Sequence, residues 1–206
     1  MIYQFDFWFA EMANRLLHLT NGTLTPIFRF ATWLANAGIV FIVIATFLLL
    51  FRRTRKAGLV ALASMFFGFL VTNVILKPAL ARPRPFLDET SPFYSFWLEA
   101  GSLPESGYSF PSGHSTVSCA FAVSLFLCGK KRISWLSFLI PLLIGFTRIY
   151  FDVHYASDVL MGFVVGSICG GLGYLTLFLF RKIKFVDGMI QYDIWSRFFH
   201  RKKETD

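Results

Sequence analysis

Eight residues in this chain have the types and spacings needed to move a phosphoryl group. They fall in three strings: Lys77-x6-Arg84-Pro85, Pro111-Ser112-Gly113-His114 and Arg148-x5-His154-x3-Asp158. Phosphoryl transfer through a histidine, without a metal or other cofactor, needs cations to neutralise the phosphoryl oxygens and a nucleophile. It also needs an acid for the leaving group and an anion to orient the nucleophile. The three strings supply three cations, two histidines and one carboxylate.

Each string has a chemical reading and a plainer one. Ser112 and Gly113 stand before an apolar run, where Ser112 can cap a helix and free amides can attract an anion beside His114; an ordinary cap fits those four residues equally well. His154 and Asp158 are four apart at a helix start, so Asp158 can accept from one ring nitrogen while the other attacks phosphorus. Taken alone, such a pair is more often structural. Lys77 and Arg84 flank a break imposed by Pro78, Pro83 and Pro85, which can aim both into one pocket. The alternative is snorkelling at a helix end, and Arg82 is assigned to that alternative and left out of the site.

The elements that must hold these residues are membrane helices. The chain has 206 residues, 55% of them hydrophobic, with 26 Phe, and a mean hydropathy of +0.58, more apolar than a soluble domain requires. The net charge of +8 comes in bursts between apolar runs, not as a continuous basic face, which excludes nucleic-acid binding. Cys119, Cys128 and Cys169 lie in apolar runs without metal-ligand spacing and read as packing residues. No removable signal peptide is expected.

The expected fold is all-α: a polytopic bundle of about five transmembrane helices, with amphipathic interfacial helices at both ends. The expected spans are Phe30 to Phe51, Ala57 to Leu76, Pro111 to Gly129, Ile133 to about Ile149 and Val159 to Phe180. The fourth is short: Ile133 to Thr147 would rise only ~22 Å against a hydrocarbon core of ~30 Å, so Arg148 sits at or just below a membrane face. An arginine there needs a wet cavity or an anionic partner. One domain is expected, with residues 1–25 an outer interfacial segment, 26–180 the catalytic core and 181–206 a basic cytoplasmic tail.

Basic clusters at Arg52 to Lys56, Lys130 to Arg132 and Arg181 to Lys184 fall on one side under alternating crossings, the cytoplasmic side by the positive-inside rule. All eight candidate residues then share the opposite, extracytoplasmic face. At the N-terminus Ile2, Phe5, Phe9, Met12 and Leu16 form an apolar stripe, and Ile190, Ile194, Trp195, Phe198 and Phe199 form another in the tail. Beyond Asp158, Gly162, Gly166 and Gly170 continue its face. They are expected to pack against the His114, Ser118 and Ala122 face of the preceding span.

Together the strings resemble the signature of the type 2 phosphatidic acid phosphatase superfamily, KxxxxxxRP, PSGH and SRxxxxxHxxxD, over about residues 72 to 175. Thr147 replaces the usual Ser and keeps its hydroxyl. The resemblance implies a membrane bundle and a metal-independent phosphatase working through phosphohistidine. It implies phosphate binding by Lys77, Arg84, Ser112, Gly113 and Arg148, attack by His154 and leaving-group protonation by His114. Small bacterial members with little beyond this core point to a polyprenyl diphosphate, undecaprenyl diphosphate first, handled at the outer face of the bilayer. Phosphatidylglycerophosphate, phosphatidate, diacylglycerol diphosphate or lipid A phosphate would suit the same chemistry. A lipid-phosphate binder or transporter, or a phosphotransferase, would keep the cage and change the outcome.

Overall fold

In hydrocarbon a backbone amide has no water to bond, so apolar runs close their hydrogen bonds internally as helices. The computed structural model of the chain describes residues 1–180 and Gly188, and among them there are helices and turns but no strand. The tail anticipated at 181–206, apart from Gly188, lies outside the described residues. The helices in chain order are α1 (Ile2–Leu19), α2 (Thr25–Leu34), α3 (Ile39–Leu49), α4 (Arg55–Phe69) and α5 (Lys77–Leu80), followed by α6 (Pro92–Glu99), α7 (Gly113–Cys128), α8 (Lys131–Ser134), α9 (Leu139–Tyr150) and α10 (Ala156–Phe180).

Among the described residues three stretches are long and apolar enough to cross a bilayer: Arg55–Leu87, Lys131–Tyr150 and Ala156–Phe180. The first expected span is broken. α2 and α3 meet at 53° across a 3₁₀ turn at Asn36–Gly38, where Gly38 has φ +69°. Asn36 and Gly38 interrupt an otherwise apolar run, and a left-handed φ suits glycine best. The fourth span is longer than expected, because α8 and a 3₁₀ turn add the helical residues from Lys131 onward and bring it to 20 residues. α7, with 16 residues, is shorter than a full span.

α7 is the centre of the bundle, packed most extensively on α10 and then on α4. Glycines on α10 let the two backbones close: a Cβ at Gly162 would stand 2.8 Å from the Ser112 carbonyl oxygen, and one at Gly166 2.5 Å from that of Thr116. The glycine face therefore meets α7, as expected, but on its Ser115, Cys119 and Val123 side, which leaves His114 turned away from the seam. At the far end of the bundle Lys56 lies 4.8 Å from the Tyr174 ring, so the basic end and the candidate site are at opposite ends.

α1 packs on α6, α9 and α10. Ile2, Phe5 and Met12 of its apolar stripe are exposed, as an interfacial helix requires. A second face, Asp6, Ala10, Ala13 and Leu17, is buried against the bundle. Asp6 is 1% exposed, and its partners lie in the site.

Candidate active site

Lys77 follows a π-helical turn, Leu70–Leu76. Pro78 can supply no amide to Val74 and its ring would crowd that carbonyl, so the helix widens just before it. Asn73 and Lys77 thereby face one cavity. α5 ends at Ala81 in a left-handed conformation (φ +44°), and the chain leaves extended through Arg82-Pro83-Arg84.

Arg84, 2% exposed, is held by carbonyls. Its Nη1 donates to Val153 O at 2.7 Å, Nη2 to Ser106 O at 2.7 Å and Nε to Gly107 O at 3.0 Å. Nη1 also lies 3.3 Å from Nε2 of His154. A guanidinium only donates, so Nε2 is the unprotonated nitrogen and Nδ1 carries the proton. Nδ1 faces Oδ2 of Asp158 and Oγ of Ser109, each at 3.4 Å. Burial, then the charges of Arg148, Arg84 and Lys77, hold the His154 imidazole well below its usual range. It is neutral at pH 7, with a lone pair directed into a cluster of cations, and can attack an electrophilic phosphorus.

Asp158 is fully buried. Its Oδ2 accepts from Ser109 Oγ and, at 2.9 Å, from the Tyr155 amide. Its Oδ1 accepts from Arg82 Nη1 at 2.6 Å. Arg82 is thus part of the site, contrary to the sequence expectation. Its other nitrogen reaches Asp6 at 2.8 Å, and its plane lies 3.8 Å from the Tyr155 ring centroid. Two buried carboxylates and an aromatic face draw it inward, where a snorkelling arginine would turn out.

Ser112 caps α7, accepting from the Ser115 amide at 3.4 Å, and its own amide donates to Asp158 O at 3.0 Å. Its hydroxyl is fully buried in this cap. The wall of the first cavity, about 250 Å³, includes Gly113 and His114 together with Lys77, Arg84 and His154, but not Ser112. The His114 ring makes no hydrogen bond among the described residues.

Arg148 is 2% exposed. Its Nη1 donates to Thr32 Oγ1 at 2.6 Å, Nη2 donates to Glu105, and Nε has no hydrogen-bond partner among the described residues. Glu105 Oε1 also lies 3.7 Å from Arg84. One carboxylate therefore spans two of the three candidate cations. Of the eight candidates, six converge at one end of the bundle, five in the wall of the first cavity and Arg148 joined to Arg84 through Glu105, while Ser112 and Asp158 support them from behind. Sequence reasoning missed Arg82, Asp6, Ser109 and Asn73, and it gave Glu105 no place among the candidate residues.

Buried cations around a neutral histidine, set into a bundle of membrane helices, suit a membrane phosphatase. The comparisons agree: residues 57–182 match the PAP2 superfamily, and the chain belongs to it. It is 31% identical to undecaprenyl-diphosphatase BcrC of Bacillus subtilis, over 90% of this chain and 91% of that one. It is 34% identical to an undecaprenyl-diphosphatase of Sulfolobus acidocaldarius, over 62% of this chain and 59% of that protein's length. The crystal structure of Aquifex aeolicus LpxE superposes with a TM-score of 0.61 at 27% identity, covering 77% of this chain and 92% of that one. The protein is a multi-pass membrane lipid phosphatase.

Proposed function

We propose that the enzyme hydrolyses a polyprenyl diphosphate, undecaprenyl diphosphate foremost, to the monophosphate and inorganic phosphate at the extracytoplasmic face. The observation that carries the mechanism is the neutral His154, whose Nε2 faces Arg84 beside Lys77. Nε2 attacks the terminal phosphorus in line and the bridging P–O bond breaks. Lys77, Arg84 and Arg148 offset charge on the equatorial oxygens. His114, protonated to the imidazolium when the anionic diphosphate is bound beside it, gives that proton to the departing oxygen and becomes neutral, and Asp158 stabilises the phosphorylated His154 imidazolium as its Nδ1–H turns to it. Water then attacks the phosphohistidine with His114 as base, releasing phosphate.

The substrate rests on the two undecaprenyl-diphosphatases among the relatives. The outer face rests on the basic segments Arg52 to Lys56 and Lys130 to Arg132 at the other end of the bundle. A second reading, a lipid A or phosphatidylglycerophosphate phosphatase, is favoured by relatives bearing those names at 27% and 28% identity. A pure lipid-phosphate binder would need the cations but neither histidine. Phosphate release from a side-by-side panel of these lipids, for wild type and His154→Ala, decides. Turnover of phosphatidylglycerophosphate or lipid A with none of the diphosphate would replace the first reading by the second.

A further inference from the structure

Two cavities meet at His114. The first contains Lys77, Arg84 and His154. The second, about 600 Å³, contains none of these. It is bounded by Arg29, Thr32, Trp33 and Arg148 and shares Asn36, Glu105 and His114 with the first. In an in-line displacement the leaving group departs on the side opposite the nucleophile. His154 borders only the first cavity and the acid His114 stands in the wall common to both, so the leaving group belongs in the second.

The charge in that second cavity identifies the leaving group. Arg29 is exposed on α2, and its Nη2 donates to the Gly101 carbonyl at 2.9 Å. Its remaining N–H groups make no hydrogen bond among the described residues. Arg148 borders the same space, and Glu105, the one carboxylate lining it among the described residues, is engaged with Arg148. A departing alcohol gains little from a second guanidinium, whereas a departing phosphate monoester gains a charge-assisted bond. Trp33, beside Arg29 in this cavity, and Phe30 are exposed on α2, so an apolar tail attached to that phosphate has a direct route to lipid.

We propose that the second cavity is the subsite for the leaving phosphate of a diphosphate substrate, and that Arg29 binds it. The inference rests on the diphosphate reading above and adds the residue that distinguishes a diphosphate from a monoester. The test uses the full chain in detergent, comparing wild type, Arg29→Gln and Arg29→Lys on undecaprenyl diphosphate and on an aryl phosphate. The ratio of kcat/KM for the diphosphate to that for the aryl phosphate should fall about tenfold in Arg29→Gln, the worth of one charge-assisted hydrogen bond, and recover in part in Arg29→Lys. Equal losses on both substrates would make Arg29 only a clamp on Gly101 and overturn the subsite while leaving the diphosphate reading intact. A wild type that cleaves the aryl phosphate but no diphosphate would overturn that reading and the subsite with it.

Discussion

Glu105 occupies two of the cations proposed to hold the phosphoryl group, so neutralising it should tighten oxyanion binding. In the structure it pairs with Arg148, which is almost fully buried, and stands 3.7 Å from Arg84. A hydrogen bond to a charged group contributes about 1.5–3 kcal/mol. The Glu105 side chain is 24% exposed, and solvent screening moves the value to the lower end, about a factor of ten in an equilibrium constant. Glu105→Gln keeps the shape and removes the charge. The inhibition constants of inorganic phosphate and orthovanadate, measured competitively against the lipid, should fall about tenfold. Without ligand the thermal midpoint should fall, because Arg148 loses its buried counter-charge, and saturating orthovanadate should restore it. An unchanged or weaker inhibition constant beside a lowered midpoint would show that Glu105 helps to build the anion site and does not compete for it.

Three further outcomes follow from the geometry. Arg82→Gln leaves Asp6 and Asp158 buried without their guanidinium, so kcat should fall about ten- to a hundredfold with KM little changed, and Arg82→Lys should recover part of it; an unaltered kcat would remove Arg82 from the site. Because His154 is held well below its usual range, protonation would disable it as the proposed nucleophile only at more acid pH. The acidic limb of kcat/KM should therefore fall below ~6.5, the unperturbed value, and a midpoint at or above that value would contradict a neutral buried His154. Gly166→Ala would put a Cβ 2.5 Å from the Thr116 carbonyl oxygen and force α7 from α10, costing about 1–3 kcal/mol; a thermal midpoint equal to wild type would show that the seam is looser than described.

The charged strings were legible because each member sits at a helix end, where spacing and side can be counted. Lys77, Arg84, His114, Arg148 and His154 reach one end of the bundle for that reason. What escaped is tertiary. Arg82 finds Asp6 across 76 positions, and neither residue has a local pattern that announces the other. α1 showed its apolar stripe but not its second face, since Asp6, Ala10 and Ala13 read as ordinary helix residues until another helix is laid against them. The break at Asn36–Gly38 had a signal, a polar residue and a glycine inside an apolar run, and hydropathy averaged over a whole span erased it. Glu105 could be seen in the loop, but its seat between Arg84 and Arg148 depends on how that loop folds back.

The central claim is a covalent bond between phosphorus and Nε2 of His154. Rapid quenching of the enzyme with substrate labelled in the terminal phosphate, followed by peptide mapping under alkaline conditions, tests it directly. The label should appear on His154 as an acid-labile adduct, persist longer in His114→Ala, and be absent from His154→Ala. Turnover with no labelled protein under the same quench, or label retained in His154→Ala, would contradict the account.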